Sequence, residues 1–300
     1  MTSKNIGHLR LIIIFTVIIG FLSLITPDTN LKILDINILQ FVLLYIWLVQ
    51  VVAFIFAFIY QTEKYYDFIG SLTYSTSTLI VYYSLPVKTH TDTVLLALVL
   101  IWSLRLGLFL FRRILEDGKD NRFTKPKQSF LHFLQYWTGQ AMWVSFTCIA
   151  VYVAMISEEE NTLTTVSIFG LIIWIFGFTV EVISDAQKRT FRKDINNKGK
   201  FISNGLWSRS RHPNYFGEIT LWVGVAVISV TSLNGIGYVA LISPLFVYAL
   251  LSKGSGIPLL EQSADKKWGS DPEYQAYKKN TPVLFPKLFN NIENTHGNSN

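Results

Sequence analysis

The sequence predicts an all-α protein, a polytopic transmembrane helix bundle of about seven or eight spans. Half of its 300 residues are apolar and only 15% carry charge, where an ordinary soluble domain carries about 25%. Several stretches of roughly 18 to 20 residues hold almost no charge, long enough to cross a hydrocarbon core about 30 Å thick. The remaining polar residues are bunched at the ends of apolar runs, most densely in SRSRHPNYFGE (208–218).

Along the chain, spans are expected at 9–26, 38–60, 68–85, 93–111, 138–157, 165–184, 213–232 and 236–252. The first follows basic residues, as a signal peptide would, but lacks a small-x-small cleavage site and reads as a retained helix; it decides whether the count is seven or eight. The third, IGSLTYSTSTLIVYYSL, is the most polar, and its hydroxyls suit a helix facing a cavity or its neighbours instead of lipid. With the N-terminus inside, 23 of the 26 Lys and Arg fall on inner segments. Lys32 and Lys88 lie in outer loops, Arg105 within a span, and the acidic loop SEEEN (157–161) outside. This bias puts both termini in the cytoplasm of a multi-pass integral membrane protein; a bacterial inner membrane and the endoplasmic reticulum both fit. The lone Cys148 excludes disulfides and thiolate metal sites. The polar tail (289–300) is expected to be disordered.

Four polar stretches gather on the inner side. Pro213 suits the first turn of a helix, since its missing N–H would be unpaired there. Asn214 and Glu218, four residues apart, then share one face. Arg209, Arg211 and His212 precede this helix, where free N–H groups favour an anion; Arg209 and Arg211 serve equally as positive-inside anchors. Glu218, one turn into a span, should face a cavity or a partner. In EVISDAQKRTFRKD (181–194), Glu181 and Asp185 are again one turn apart, followed by Lys188, Arg189, Arg192 and Lys193. In LRLGLFLFRRILEDGKDNRF (104–123), Arg105 needs a partner or aqueous cavity, and Arg112 and Arg113 are anchors or phosphate ligands. The fourth stretch, SGIPLLEQSADKKWGSDPEYQAYKKNTPVLFP (255–286), reads as a solvated interfacial helix in which Glu261 stands out.

The run GLWSRSRHPNYFGE (205–218), with SDAQKRTFR upstream and SGIPLLE…KKWG…PEYQAYKKNTPVLFP downstream, resembles the DUF1295 group of the steroid 5-alpha-reductase C-terminal family. Its RHPNY signature is similar to that of sterol C14 reductases, and a related RHP motif occurs in isoprenylcysteine carboxyl methyltransferases. The resemblance covers about 181–286, with WSLRLGLFLFRR more loosely. It implies a helical membrane protein with a nucleotide-cofactor pocket on the cytoplasmic side, NADPH in the reductases and S-adenosylmethionine in the methyltransferase. It divides the chain into N-terminal helices on the substrate side (1–137), a cofactor-binding region (138–288) and the tail. It assigns Asn214 and Glu218 to the nicotinamide amide, Asp185 and Arg192 to the adenine-nucleotide half, and Arg113 to phosphate. Arg211, His212, Asn214 and Tyr215 carry over from the sterol C14 reductases, and Glu261 takes the place of their C-terminal acid. Glu181 joins Asp185 in the cofactor set. Trp102 stands where the steroid enzymes place a catalytic tyrosine.

The expected chemistry is NADPH-dependent reduction of a carbon–carbon double bond in a lipophilic, steroid- or isoprenoid-like substrate. A donor polarises a conjugated carbonyl, hydride adds at the β-carbon and an acid protonates the α-carbon. Glu63, Tyr65, Tyr66 and Asp67, at the inner end of the second span, are the catalytic candidates, with Tyr74 a further option. Two other readings stay open: a methyltransferase using S-adenosylmethionine, and a non-enzymatic lipid-binding scaffold whose basic rim anchors it to membrane lipids. No metal, nucleic-acid partner or obligate protein partner is expected.

Overall fold

The computed structural model describes residues 3–25, 30–157 and 163–287; most of the acidic loop and the tail lie outside these. Among the described residues the chain is almost wholly helical. The helices are α1 (Ser3–Leu22), α2 (Ile38–Ile59), α3 (Tyr66–Ser84), α4 (His90–Asp117), α5 (Phe130–Ile156), α6 (Thr165–Lys193), α7 (Pro213–Ser229), α8 (Ile242–Lys253), α9 (Ile257–Trp268) and α10 (Pro272–Asn280). The described strands form one small hairpin, Lys32–Ile33 against Ile36–Asn37. The Asn37 side chain accepts from the Leu39 N–H at 3.0 Å and starts α2. Helix α4 opens with a reciprocal Thr89–Asp92 capping box and stops at Gly118, whose φ of 76° suits glycine. The expected all-α polytopic bundle is what forms.

Among the described residues, seven helical stretches are long and apolar enough to cross a membrane; α3 is not one of them. Its hydroxyls turn to neighbouring helices. Thr73 accepts from Gln50 Nε2 at 2.8 Å, Tyr45 donates to Thr76 at 2.8 Å, and Ser77 meets the Tyr152 hydroxyl at 2.7 Å. Inter-helix hydrogen bonds of this kind substitute for apolar surface in a bundle. The last apolar stretch runs beyond the expected 236–252, through α8 and α9 to Trp268.

The chain divides into two compact units, Met1–Ile172 with Trp222–Phe246, and Ile173–Leu221 with Val247–Asn300. In the first, α5 is the core: Trp137, Ala141, Val144 and every residue from Cys148 to Ile156 are buried along it. Its neighbours α1, α2 and α3 wrap it. The division expected at 137/138 falls inside this continuous helix. The second unit holds α6 from Ile173, α7 to Leu221, α9 and α10.

Candidate functional site

In the second unit, α6 and α7 approach until their backbones touch. A Cβ on Gly217 would lie 2.6 Å from both the Glu181 nitrogen and the Gly177 carbonyl oxygen. A Cβ on Gly177 would lie 2.5 Å from the Leu221 nitrogen. Only glycine fits at such a crossing. The seam brings together the side chains expected from the sequence. Glu181, Asp185 and Glu218 are buried, and the Asn214 amide donates to Asp185 Oδ1 at 3.4 Å. Burying three acids on two packed helices is costly unless each carboxylate is compensated, so the seam is a polar site within an apolar bundle.

The segment before α7 is fastened by the C-terminal residues. Arg211 N–H donates to the Pro282 carbonyl at 2.9 Å, Ser210 Oγ to the Leu284 carbonyl at 2.7 Å, and Lys287 N–H to the Arg209 carbonyl at 3.0 Å. Glu261, from α9, meets Arg211 at 3.1 Å and His212 Nε2 at 2.8 Å. Arg211 also donates to the Lys278 carbonyl at 2.9 Å. The Tyr215 ring stacks at 5.8 Å on His212. Burial pushes the His212 imidazole below its ordinary pKa, outweighing Glu261, which pulls it up. The ring is therefore neutral near pH 7 and donates through Nε2–H to Glu261. Its buried Nδ1, and the buried Nε of Arg211, find no hydrogen-bond partner among the described residues. Buried polar atoms are rarely left so.

Of the cofactor set, the structure brings Glu181, Asp185, Asn214 and Glu218 to one helix seam. It brings Arg211, His212, Tyr215 and Glu261 together at the start of α7. Arg192 sits exposed on the last turn of α6. Gly177, Gly217, Ser210 and the strap 282–287 are parts that motif reading passed over. For the two glycines the trace in the sequence was a pair two turns apart on each helix (170 and 177; 217 and 224); Ser210 and residues 282–286 lay inside the quoted motifs with no role assigned.

The N-terminal candidates belong to the first unit. Glu63 accepts from Lys127 Nζ at 2.7 Å and from the Asp120 N–H at 3.1 Å. Burial raises its carboxyl, but these hydrogen bonds and the Lys127 charge outweigh it and hold the pKa below the usual value. Asp67 pairs with Arg122 at 3.1 Å and Arg113 at 3.6 Å. The Tyr66 hydroxyl donates to the Tyr136 carbonyl at 2.9 Å. Tyr65 is exposed and stacks on Phe111. Tyr74 packs edge-on against Trp102, their centroids 5.0 Å apart.

Because the folded pKa of Glu63 is depressed, its stabilising share is complete above the ordinary carboxylate range and is lost as pH falls through it. Lys127→Met is expected to lower stability in detergent by about 1–3 kcal/mol at pH 7, with the gap to wild type closing toward pH 4. A constant gap across a pH series of melting curves would refute the pairing.

A family model described as "Protein of unknown function (DUF1295)" matches residues 53–281. Among curated proteins, a "Probable O-methyltransferase" of Ustilaginoidea virens is 30% identical over 129 residues, 42% of this chain and 43% of that protein. The 3-oxo-5-alpha-steroid 4-dehydrogenase 1 of Rattus norvegicus is 26% identical over 195 residues, 65% of this chain and 67% of that one. An uncharacterized protein of Schizosaccharomyces pombe is 20% identical over 215 residues, 63% and 61% of the two chains. The chain thus spans about two fifths to two thirds of the length of these relatives. No solved structure matches it. Since the family model covers well over half of the chain, and the α6–α7 seam, His212 and Glu261 all lie within it, the protein belongs to the DUF1295 family.

Proposed function

We propose that the chain is an integral-membrane, NADPH-dependent reductase of a carbon–carbon double bond in a lipophilic substrate, with both termini cytoplasmic. One observation carries the reading: buried groups able to hold a dinucleotide are gathered on one α6–α7 seam, beside a buried imidazole nitrogen with no partner of its own. The donor set fits the cofactor. The Asn214 amide and Glu218 carboxylate suit a carboxamide, which both donates and accepts. Asp185 suits ribose hydroxyls or an adenine amine, and neutral His212 Nδ1 accepts from a hydroxyl or N–H. Lys188, Arg189, Arg192 and Lys193 at the end of α6 suit phosphates. When bound, NADPH supplies the hydride. Glu63 and Asp67 are engaged with cations and Tyr66 with a carbonyl, so the exposed phenol of Tyr65 is the first of the four to test as proton donor.

The relative named as a steroid dehydrogenase, matched along 65% of this chain, supports the reductase reading. One feature favours the methyltransferase instead. Glu261 and the Lys278 carbonyl occupy Arg211, while the buried acids would also suit the cationic sulfonium and ammonium of S-adenosylmethionine. Titrating the detergent-purified protein with each cofactor, read as a thermal shift, separates the two. NADPH is expected to stabilise it, Glu218→Gln to weaken that affinity about 10- to 100-fold, the loss of a charge-assisted hydrogen bond, and Asn214→Ala to weaken it about 3- to 10-fold, the loss of a neutral one. Stabilisation by S-adenosylmethionine alone would reverse the assignment.

A further inference from the structure

The first unit contains a groove of about 300 Å³ lined by Ala53, Phe56 and Ala57 of α2, Ile69 of α3 and Trp137 of α5, with Tyr60, Thr62 and Tyr65 from the segment between α2 and α3. Its lining is almost wholly apolar, and its volume is at the lower end for ligand sites. Phe56, Tyr60 and Tyr65 are exposed at its mouth. Its floor is fixed: Trp137 and Ala57 belong to a buried cluster with Phe54, Phe123 and Phe133, and the Tyr66 ring meets Trp137 edge-on at 5.1 Å.

Two observations specify the occupant. The groove lies at the last turn of the α2 span, and Glu63, Lys64 and Asp67 follow within a few residues, so it sits where hydrocarbon gives way to water. Aromatic side chains gather at that depth, which is also the depth of lipid ester carbonyls. Second, the Trp137 indole N–H, on a residue only 1% exposed, has no hydrogen-bond partner among the described residues. A buried indole N–H normally has one. A purely apolar occupant would leave it unsatisfied; a carbonyl-bearing chain would not.

We infer that this groove binds an acyl chain of a membrane glycerolipid, its ester carbonyl accepting a hydrogen bond from Trp137. The inference stands apart from the cofactor assignment, because the α6–α7 seam plays no part in it. The probe is a phosphatidylcholine with a diazirine-bearing ester-linked acyl chain, photolysed on the full-length protein in detergent. A second probe is its ether-linked counterpart, which lacks the carbonyl. Peptide mapping should place the adduct within 53–69 or at Trp137. Ala57→Leu should remove it by filling the groove. Tyr60→Ala, at an exposed position that cannot upset the core, should reduce it. Trp137→Phe should lower labelling by the ester probe about 3- to 10-fold, the worth of one neutral hydrogen bond, and leave the ether probe unchanged. Adducts confined to other segments would overturn the site. An equal effect of Trp137→Phe on both probes, or none on either, would overturn the carbonyl contact.

Discussion

Replacing Gly217 with alanine is expected to unseat α7 from α6 and abolish ligand binding at the seam. The added methyl would meet backbone on both sides, at 2.6 Å from the Glu181 nitrogen and from the Gly177 oxygen. No rotamer change relieves a clash with main chain, so the helices must separate by something near 1 Å. Overpacking of this kind costs about 1–3 kcal/mol, a fall of roughly 2–5 °C in melting temperature for a protein of this size. The functional loss should exceed the loss in stability, since separation also carries Asn214 away from Asp185, now 3.4 Å apart. Gly177→Ala should behave alike, and the double variant should lose less than the sum, because both relieve the same contact. Gly20→Ala, with nothing within 4 Å of the added atom, is the control and should melt no lower than wild type. A Gly217→Ala protein that melts and binds as wild type would mean that the seam is looser than described.

The bundle was legible because its cause is compositional: uncharged runs of the right length leave the backbone no alternative to helix. Asn214 with Glu218 and Glu181 with Asp185 were legible for a similar reason, since a spacing of four on an apolar helix fixes a shared face. Their meeting was not legible. It depends on Gly177 facing Gly217, and a glycine in a membrane helix does not announce which neighbour it admits. The strap was hidden for another reason. Arg211 and Ser210 are held by the carbonyls of Pro282 and Leu284, and backbone acceptors leave no mark on residue type. Glu63 shows the opposite limit. A lone acid at a span end looked like proton chemistry, whereas Lys127, 64 residues away, satisfies it. The polar third span likewise expressed its character through inter-helix hydrogen bonds that only the fold reveals.

Glu261→Ala should produce the second large effect. It removes the shared partner of Arg211 and His212, whose side chains are only 10% and 7% exposed. An arginine left buried without its carboxylate costs about 3–5 kcal/mol, with the lower figure apt here because Lys278 and the 19%-exposed Glu261 itself admit some solvent. Glu261→Gln keeps the shape and can still accept from His212, so it should retain part of the stability that alanine loses. The two variants also differ in pH response from wild type in a predictable direction. The folded His212 pKa lies below its ordinary value, so the unfolded chain takes up a proton first, and stability falls as pH drops through the ordinary imidazole range. Glu261 opposes that shift; replacing it with glutamine lowers the folded pKa further and extends the fall to lower pH. Melting curves between pH 8 and 5 should therefore show Glu261→Gln diverging downward from wild type as the solution is acidified. Parallel curves would show that the imidazole is not coupled to this carboxylate, and that the start of α7 is held by its backbone strap alone.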